Sequence, residues 1–504
     1  MADKNKHVDL FVIGGGINGA AIARDAIGRG LSVMLAEKND YASATSSASS
    51  KLIHGGLRYL EHFEFSLVRE ALGERETMLK IAPHLTMPMR FLVPITKDQR
   101  RPAWMVWIGL KIYDLLSGHK QMASSGRLSS AEVDQLSRLR KQDLTSVLHY
   151  ADCWVDDARL VLETLLDARA RGADIANQRN VEKIEPAENG YYVHYSQDGH
   201  THIVLARFVV NTGGPWANDV ADSTNDTLPR RSLQLVRGSH IVLNMPKPAD
   251  TTAFTLQNND GRVIFTIPWQ GSKYLVIGTT DQSHTGDPAK AVCTPQERDY
   301  LLDCYNRYFA HPGRAATAHD VIWSWAGVRS LVGSDKKSLS KVTRQSKIFA
   351  KPCGTGGFVM VYGGKLTTHR RLAEKIMKKL EQMGAKSTPS WTATAPLHGG
   401  RYDRETLSQM AENGPDFLPK PIRQRWAFTY GDQIETLFEA VRKNKSQAKL
   451  IAPGILKAEL HHAVKSEDAK CAQDFLIRRT KLDLTLTPKD KAKVNAWFSK
   501  LKRI

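Results

Sequence analysis

A β-branched and apolar run from His7 to Ile13 stops abruptly at Gly14-Gly15-Gly16, and Ile17 to Arg29 continues as an alanine-rich helical pattern. A second apolar run, Leu31 to Ala36, ends at Glu37. Strand, glycine turn, helix and strand in that order predict a βαβ unit whose two strands are parallel and buried. The glycines fall as Gly14-x-Gly16-x-x-Gly19. In such a turn the first glycine permits the tight bend, the second admits a pyrophosphate close to backbone, and the third lets helix pack on strand, while the helix start supplies N–H donors and positive dipole. Glu37 is placed to accept from the ribose hydroxyls of an adenosine. The glycines alone would also suit a plain turn in a sheet; with strand, helix and acid all in register they predict dinucleotide binding, with Gly14, Gly15, Gly16, Asn18, Gly19 and Glu37 as cofactor-binding residues.

This unit does not choose between FAD and NAD, which share an ADP half. The rest of the chain does. Ile203 to Val210 reads as a strand feeding Asn211-Thr212-Gly213-Gly214-Pro215-Trp216, and Phe358 to Tyr362 as another feeding Gly363-Gly364-Lys365. One nucleotide domain assembled from such distant segments is the layout of FAD proteins. A helix after Gly364 would aim its N-terminus at the cofactor, where a positive dipole stabilises negative charge on a reduced flavin. Ser239 to Asn244, Arg262 to Pro268 and Tyr274 to Thr280 alternate as strands of a mostly antiparallel sheet. Past about Ser390 the β signals fade, and helices such as Ala458 to Lys465 and Lys489 to Leu501 follow.

A chain of 504 residues exceeds one hydrophobic core. The expected architecture is therefore α/β (α+β overall): a Rossmann-like FAD-binding domain from 1–80, 150–225 and 345–388, a mostly antiparallel substrate (cap) domain from 81–149 and 226–344, and a helical domain at 389–504. Tyr41 to His54, rich in Ser, Thr and Ala, reads as a loop leading into a helix and approaching a ligand.

Composition enters through charge. A formal net charge of +19 favours anionic substrates, acidic lipid headgroups or nucleic acid, without choosing among them. No helix-turn-helix, zinc or aromatic RNA-binding pattern supports a nucleic-acid-binding protein on a dinucleotide scaffold, the reading from another function class. The five cysteines are scattered without metal-ligand spacing, so no metal is expected and reduced, buried thiols are. Neither a secretory leader nor a transmembrane run is visible, and a cytoplasmic protein is expected. Ala103 to Leu116 carries Trp104, Trp107 and Tyr113 beside Arg100, Arg101 and Lys111. That composition suits a helix lying in a membrane interface and suits a core helix of the cap domain equally.

The segment Ala44-Thr45-Ser46-Ser-Ala-Ser-Ser50-Lys51-Leu-Ile-His54-Gly55-Gly56-Leu-Arg58-Tyr59-Leu60 closely resembles the flavin-adjacent stretch of aerobic, quinone-linked glycerol-3-phosphate dehydrogenases, within the wider D-amino-acid-oxidase-like flavoproteins. Asp152-Cys-Trp-Val-Asp156-Asp-Ala-Arg159, Gly238-Ser239-His240, Gly278-Thr279-Thr280-Asp281, Gly327-Val328-Arg329 and Gly363-Gly364-Lys365-Leu366-Thr367-Thr368 resemble the same family, in its order. The resemblance spans most of residues 8 to 385 and is weaker beyond, where Phe475 to Thr480 matches a recurring stretch; Ser330 departs from the expected proline.

The resemblance implies FAD held also by Thr45, Ser46, Ser50, Gly213, Gly363, Gly364, Leu366 and Thr367, and since no attachment motif stands out, non-covalent binding is expected. It further implies oxidation of glycerol 3-phosphate to dihydroxyacetone phosphate, a quinone acceptor, peripheral attachment to an anionic cytoplasmic membrane surface, and a homodimer. A soluble oxidase delivering electrons to O2 is the nearer rival. Alcohol oxidation needs a hydride acceptor, a base and cations for a phosphate dianion. His54 is the expected base, because imidazole titrates near neutrality, and His240 is the alternative. If their segment is helical, His54 and Arg58 share one face. Arg58 and Arg329 form the expected phosphate clamp, since guanidinium binds phosphate bidentately. Lys365 either joins the clamp or polarises the oxygen that becomes the ketone, Tyr59 hydrogen-bonds substrate, and Thr280 lines the site.

Overall fold

The structure, a computed structural model, describes residues 6–118, 121–247, 251–310, 314–333 and 345–501, so the stretch 334–344 that closes the expected cap segment lies outside the described residues. Two large sheets organise it. The first runs in the order Lys347–Cys353, Gly356–Tyr362, His200–Asn211, His7–Ile13, Val33–Ala36, Asp174–Ala176, with Asn180–Ala187 and Gly190–Gln197 as an antiparallel extension. Its central pairings are parallel: Leu10 faces Val33 on one side and Phe208 on the other.

Alternation along His7–Ile13 explains the layers. Leu10 and Val12 pack into the core formed with helices Ile17–Gly28, Asp157–Ala170 and His369–Gln382, whereas Phe11 and Ile13 pack on the opposite face with Tyr191, Val193 and Met360. Because both faces are covered there, Leu10 to Ile13 reads as one continuous apolar run.

The second sheet is antiparallel except where Ala253–Gln257 lies parallel to Thr86–Thr96. It follows the order Gln282–Ser283, Leu233–Asn244, Tyr274–Gly278, Val263–Trp269, Ala253–Gln257, Thr86–Thr96, Leu144–Val155, Leu52–Ile53. Val321–Val332 pairs along Leu233–Asn244, setting Arg329 opposite Val236. The C-terminal region is helical, as expected, but also holds a short hairpin of Leu450–Ala452 with Ile455–Leu456.

Two expectations need correction. Residues 54–58 are not one helix: Leu52–Ile53 is a strand, Gly56 takes φ 75°, and Leu57–His62 is a separate 3-10 turn, so His54 and Arg58 share no helical face. Of the cysteines, all unpaired among the described residues, Cys153 and Cys304 are buried but Cys293, Cys353 and Cys471 are only partly so.

Candidate active site

The parallel strands of the first sheet end together, and ligands of such sheets bind beyond the carboxyl ends of strands. Gly14 follows the first strand, Glu37 the second, Thr212 to Trp216 the third and Gly363 to Thr367 the fourth, and all four stretches contribute to one cavity. The cavity volume is about 400 Å³.

At one part of this cavity the turn is built from backbone. Gly14 has φ 106°, and a methyl there would lie 2.8 Å from the Thr212 carbonyl oxygen. The helix that follows has no acidic residue in its first turn, and the Ile17 N–H donates to Ser46 Oγ at 3.0 Å. Glu37 accepts from the Gly15 N–H at 2.7 Å and the Asn39 N–H at 2.8 Å. Burial pushes its carboxyl above the ordinary range, and these two N–H donors oppose that shift. Lys38 Nζ lies 4.4 Å over the Trp216 ring, both on the cavity wall. A helix start without an acidic residue, glycines with no room for a side chain, and a half-buried carboxylate fit the ADP half of a dinucleotide.

Elsewhere on the wall, Asn18 Nδ2 donates to the Gly363 carbonyl at 2.9 Å, and Gly364, at φ 106°, leaves the room a side chain would take from Asn18. Thr45 Oγ1 donates to the Val328 carbonyl at 2.6 Å, tying the loop to the strand that carries Arg329. The His54 N–H donates to Thr367 Oγ1 at 3.3 Å, and the His54 ring meets Phe265 edge-on at 6.1 Å. Lys365 Nζ sits 3.7 Å over the Tyr59 ring. Arg329 donates to Asp281 Oδ1 at 2.6 Å.

The cavity thus gathers His54, Tyr59, Arg329 and Lys365 with Gly14, Gly16, Asn18, Glu37, Thr45, Ser46, Ser50, Gly213, Gly363, Gly364, Leu366 and Thr367. Arg58, His240, Gly15 and Gly19 stand off its wall. Gly15 and Gly19 act from behind, Gly19 by letting the helix close on the Gly14 carbonyl. His240 is buried one layer back, with Nε2 2.8 Å from Ser50 Oγ and its ring stacked on Trp325 at 5.0 Å. Burial holds its imidazole well below the ordinary range, and the Arg329 and Lys51 charges add to that. Thr280 is also off the wall, bonded to Glu297 Oε1 at 2.7 Å, and Thr279 takes the lining position.

Sequence reasoning missed Arg179, Phe265 and Thr279 as lining residues. Arg179 lies just past a three-residue strand, Asp174–Ala176, and its guanidinium packs over Tyr195 at 5.1 Å, with no local motif to announce either.

Residues 9–370 match the model of the FAD-dependent oxidoreductases. The chain belongs to that family. Residues 390–496 of this flavoprotein match the C-terminal domain of alpha-glycerophosphate oxidase. Curated relatives span nearly its whole length. The D-erythritol 1-phosphate dehydrogenase of Brucella abortus is 40% identical over 97% of each chain, and the aerobic glycerol-3-phosphate dehydrogenase of Escherichia coli is 38% identical over 97% of each. A solved glycerol-3-phosphate dehydrogenase from Bacillus halodurans, complexed with FAD, superposes with TM-score 0.80 at 30% identity, covering 99% of this flavoprotein and 91% of that chain. FAD is accordingly the cofactor, and the glycerol-3-phosphate dehydrogenase and oxidase group is the branch.

Proposed function

We propose that this flavoprotein oxidises sn-glycerol 3-phosphate to dihydroxyacetone phosphate and passes the electrons to a membrane quinone. The observation that carries the reading is the gathering of His54, Arg329 and Lys365 on one cavity with the glycine turn and Glu37. FAD, when bound, supplies the two-electron acceptor. Glu37 and the helix start would hold its adenosine diphosphate. Arg329 and Lys365 bind the phosphate dianion, Arg329 through planar donors whose direction Asp281 fixes. His54 takes the hydroxyl proton as the C2 hydride departs, held in place by its backbone bond to Thr367. His240, neutral and bonded to Ser50, steadies the wall.

The strands of the first sheet all fall within 1–80, 150–225 and 345–388, the segments assigned to the cofactor. Those of the second fall in 81–149 and 226–344, except Leu52–Ile53 and the end of Leu144–Val155, which reach across to carry the His54 segment.

Membrane attachment is supported by one surface. Among the described residues no helix is long and apolar enough to cross a bilayer. Helix Ala103–Ser117, however, buries only Leu110, Tyr113 and Ser117 and leaves Trp104 63% and Leu115 80% exposed. Phe63, 78% exposed, precedes the helix packed beside it, and Lys111 folds over Trp107 at 4.0 Å. Exposed aromatic and aliphatic groups with flanking cations suit insertion at an anionic interface.

A second substrate, D-erythritol 1-phosphate, is favoured by the Brucella relative's equal similarity. Anaerobic bleaching of the bound flavin tests both. Glycerol 3-phosphate should bleach it quickly, D-erythritol 1-phosphate slowly, and glycerol and glycine hardly at all. Faster bleaching by the tetritol ester would reverse the assignment, and stoichiometric hydrogen peroxide in aerobic turnover would replace quinone by O2.

A further inference from the structure

Residues 478–481 of the C-terminal helical region, with Asp468 beside them, contact the segment that lines the cofactor cavity and the helix start behind it. Residues 42–46 and 48–50 form part of the cavity wall, and the segment carrying them is held at both ends by groups outside it. At its start, Arg479 donates two parallel bonds to Asp40, Nη1 to Oδ2 and Nη2 to Oδ1, both 2.7 Å, and Arg478 Nε adds a third at 2.5 Å. The Arg479 and Asp40 side chains are 1% and 4% exposed.

Two residues on, Lys481 Nζ reaches Asp156 Oδ1 at 3.1 Å and Asp157 Oδ1 at 3.2 Å. The same Asp157 carboxylate accepts from Ser49 Oγ at 2.8 Å and Lys51 Nζ at 3.0 Å, at the far end of the wall segment. Between these ends, the Ala42 N–H donates to the Gly15 carbonyl at 3.1 Å, stapling the segment to the glycine turn, and Tyr41 Oη donates to Asp468 at 2.8 Å. Ion pairs this deeply buried add little net stability, because desolvation offsets their attraction, but their geometry fixes orientation.

We infer that Arg479 and Lys481 are positioning residues that hold the 40–51 wall segment against the glycine turn, so that the C-terminal region sets how tightly FAD is retained. Neither side chain lines the cavity. Their action passes through Asp40 at one end and through Asp157 to Ser49 and Lys51 at the other. The inference rests on FAD as cofactor and is independent of the substrate.

The test uses the full-length holoenzyme and the variants Arg479→Lys, Lys481→Met and, as control, Arg425→Lys. Arg425 pairs with Glu459 inside the C-terminal region itself. FAD affinity is read from flavin fluorescence on dilution, alongside visible circular dichroism and Tm. Arg479→Lys and Lys481→Met should each weaken FAD binding by about tenfold, the factor carried by one charge-assisted hydrogen bond. Flavin reduction at saturating FAD should stay within about twofold of the unsubstituted enzyme, since no contact to reacting atoms is lost. Arg425→Lys should lower Tm and leave FAD affinity alone. Unchanged FAD affinity in Lys481→Met, in which Asp157 keeps Lys51, would overturn the inference even if Arg479→Lys fails to fold. Equal loosening by Arg425→Lys would overturn it as well, showing general destabilisation.

Discussion

Gly15 offers a sharp test of how the adenosine end is built, because it stands behind the cavity wall and acts on Glu37. A methyl added there would lie 2.7 Å from Glu37 Cβ, 3.0 Å from Glu37 Cγ and 3.2 Å from Tyr41 Cδ1. Carbon atoms rest at about 3.5–4.0 Å, so Glu37 must retreat by roughly 1 Å. The carboxylate has little freedom to do so, being pinned by the Gly15 and Asn39 N–H groups, and Tyr41 is pinned by Asp468. Overpacking of this kind costs about 1–3 kcal/mol, and a bond between ribose hydroxyl and carboxylate lost through the shift is worth about 1.5–3 kcal/mol. FAD binding to the Gly15→Ala apoprotein, followed by flavin fluorescence quenching, should therefore weaken by roughly 10- to 150-fold. Gly73→Ala is the matched control: it lies in the helix Phe65–Ile81 with no atom within 4 Å of the new methyl. It should stabilise the protein by about 0.5–1 kcal/mol and leave FAD affinity unchanged. FAD bound equally well by Gly15→Ala and the unsubstituted protein would refute the argument that Glu37 must sit where Gly15 places it.

Arg329→Ala should lower kcat/KM for the phosphate ester by roughly 10- to 150-fold, mainly through KM, whereas His54→Ala should slow stopped-flow flavin reduction even at saturating substrate. Unchanged reduction in the histidine variant would move the base elsewhere. His84 and His369 are buried and pushed down to about 4. Each stays neutral in the folded chain while its unfolded counterpart takes a proton near pH 6.5, so the stability is fully present above that pH and falls at about 1.4 kcal/mol per pH unit per histidine as pH drops toward about 4. Denaturant titrations between pH 7.5 and 5 should show this slope, and His84→Leu should lower it by about 1.4 kcal/mol per pH unit, leaving the share of His369; an unaltered slope would reject the assignment. Co-flotation with anionic vesicles should drop several-fold, about tenfold per 1.4 kcal/mol of apolar burial lost, in the double variant Trp104→Ser with Leu115→Ser. Equal flotation of variant and parent would exclude this face as the docking surface.

The glycine turn, the two returning strands and the Glu37 carboxylate were legible because each is local: a run of apolar residues, an abrupt glycine pair and an acid at a strand end. The spacing of His54 and Arg58 misled, since four residues suggest a helical face only if the backbone is helical, and Gly56 at φ 75° breaks it. Thr279 and Thr280 are adjacent in a short motif, and which of them faces the cavity depends on the bonds that Thr280 makes to Ser239 on a neighbouring strand and to Glu297 on the helix Pro295–Tyr308. His240 carries the chemistry expected of a base, but its burial behind Ser50 is decided by Trp325 on a neighbouring strand. Phe265 arrives on the strand Val263–Trp269 and Arg179 in the link between two strands, neither with a sequence motif, both brought in by tertiary assembly alone.

The first sheet pairs His7–Ile13 with His200–Asn211, which in turn pairs with Gly356–Tyr362. At about 5–20 residues per second, the last of these emerges tens of seconds after the first. Throughout that interval the glycine turn lacks the Gly363 to Thr367 side of its pocket, and unpaired strand edges stay exposed to other chains. Flavin loading is thus a late event of biogenesis, and nascent chains truncated before residue 356 should fail to take up the cofactor however long they are incubated with it.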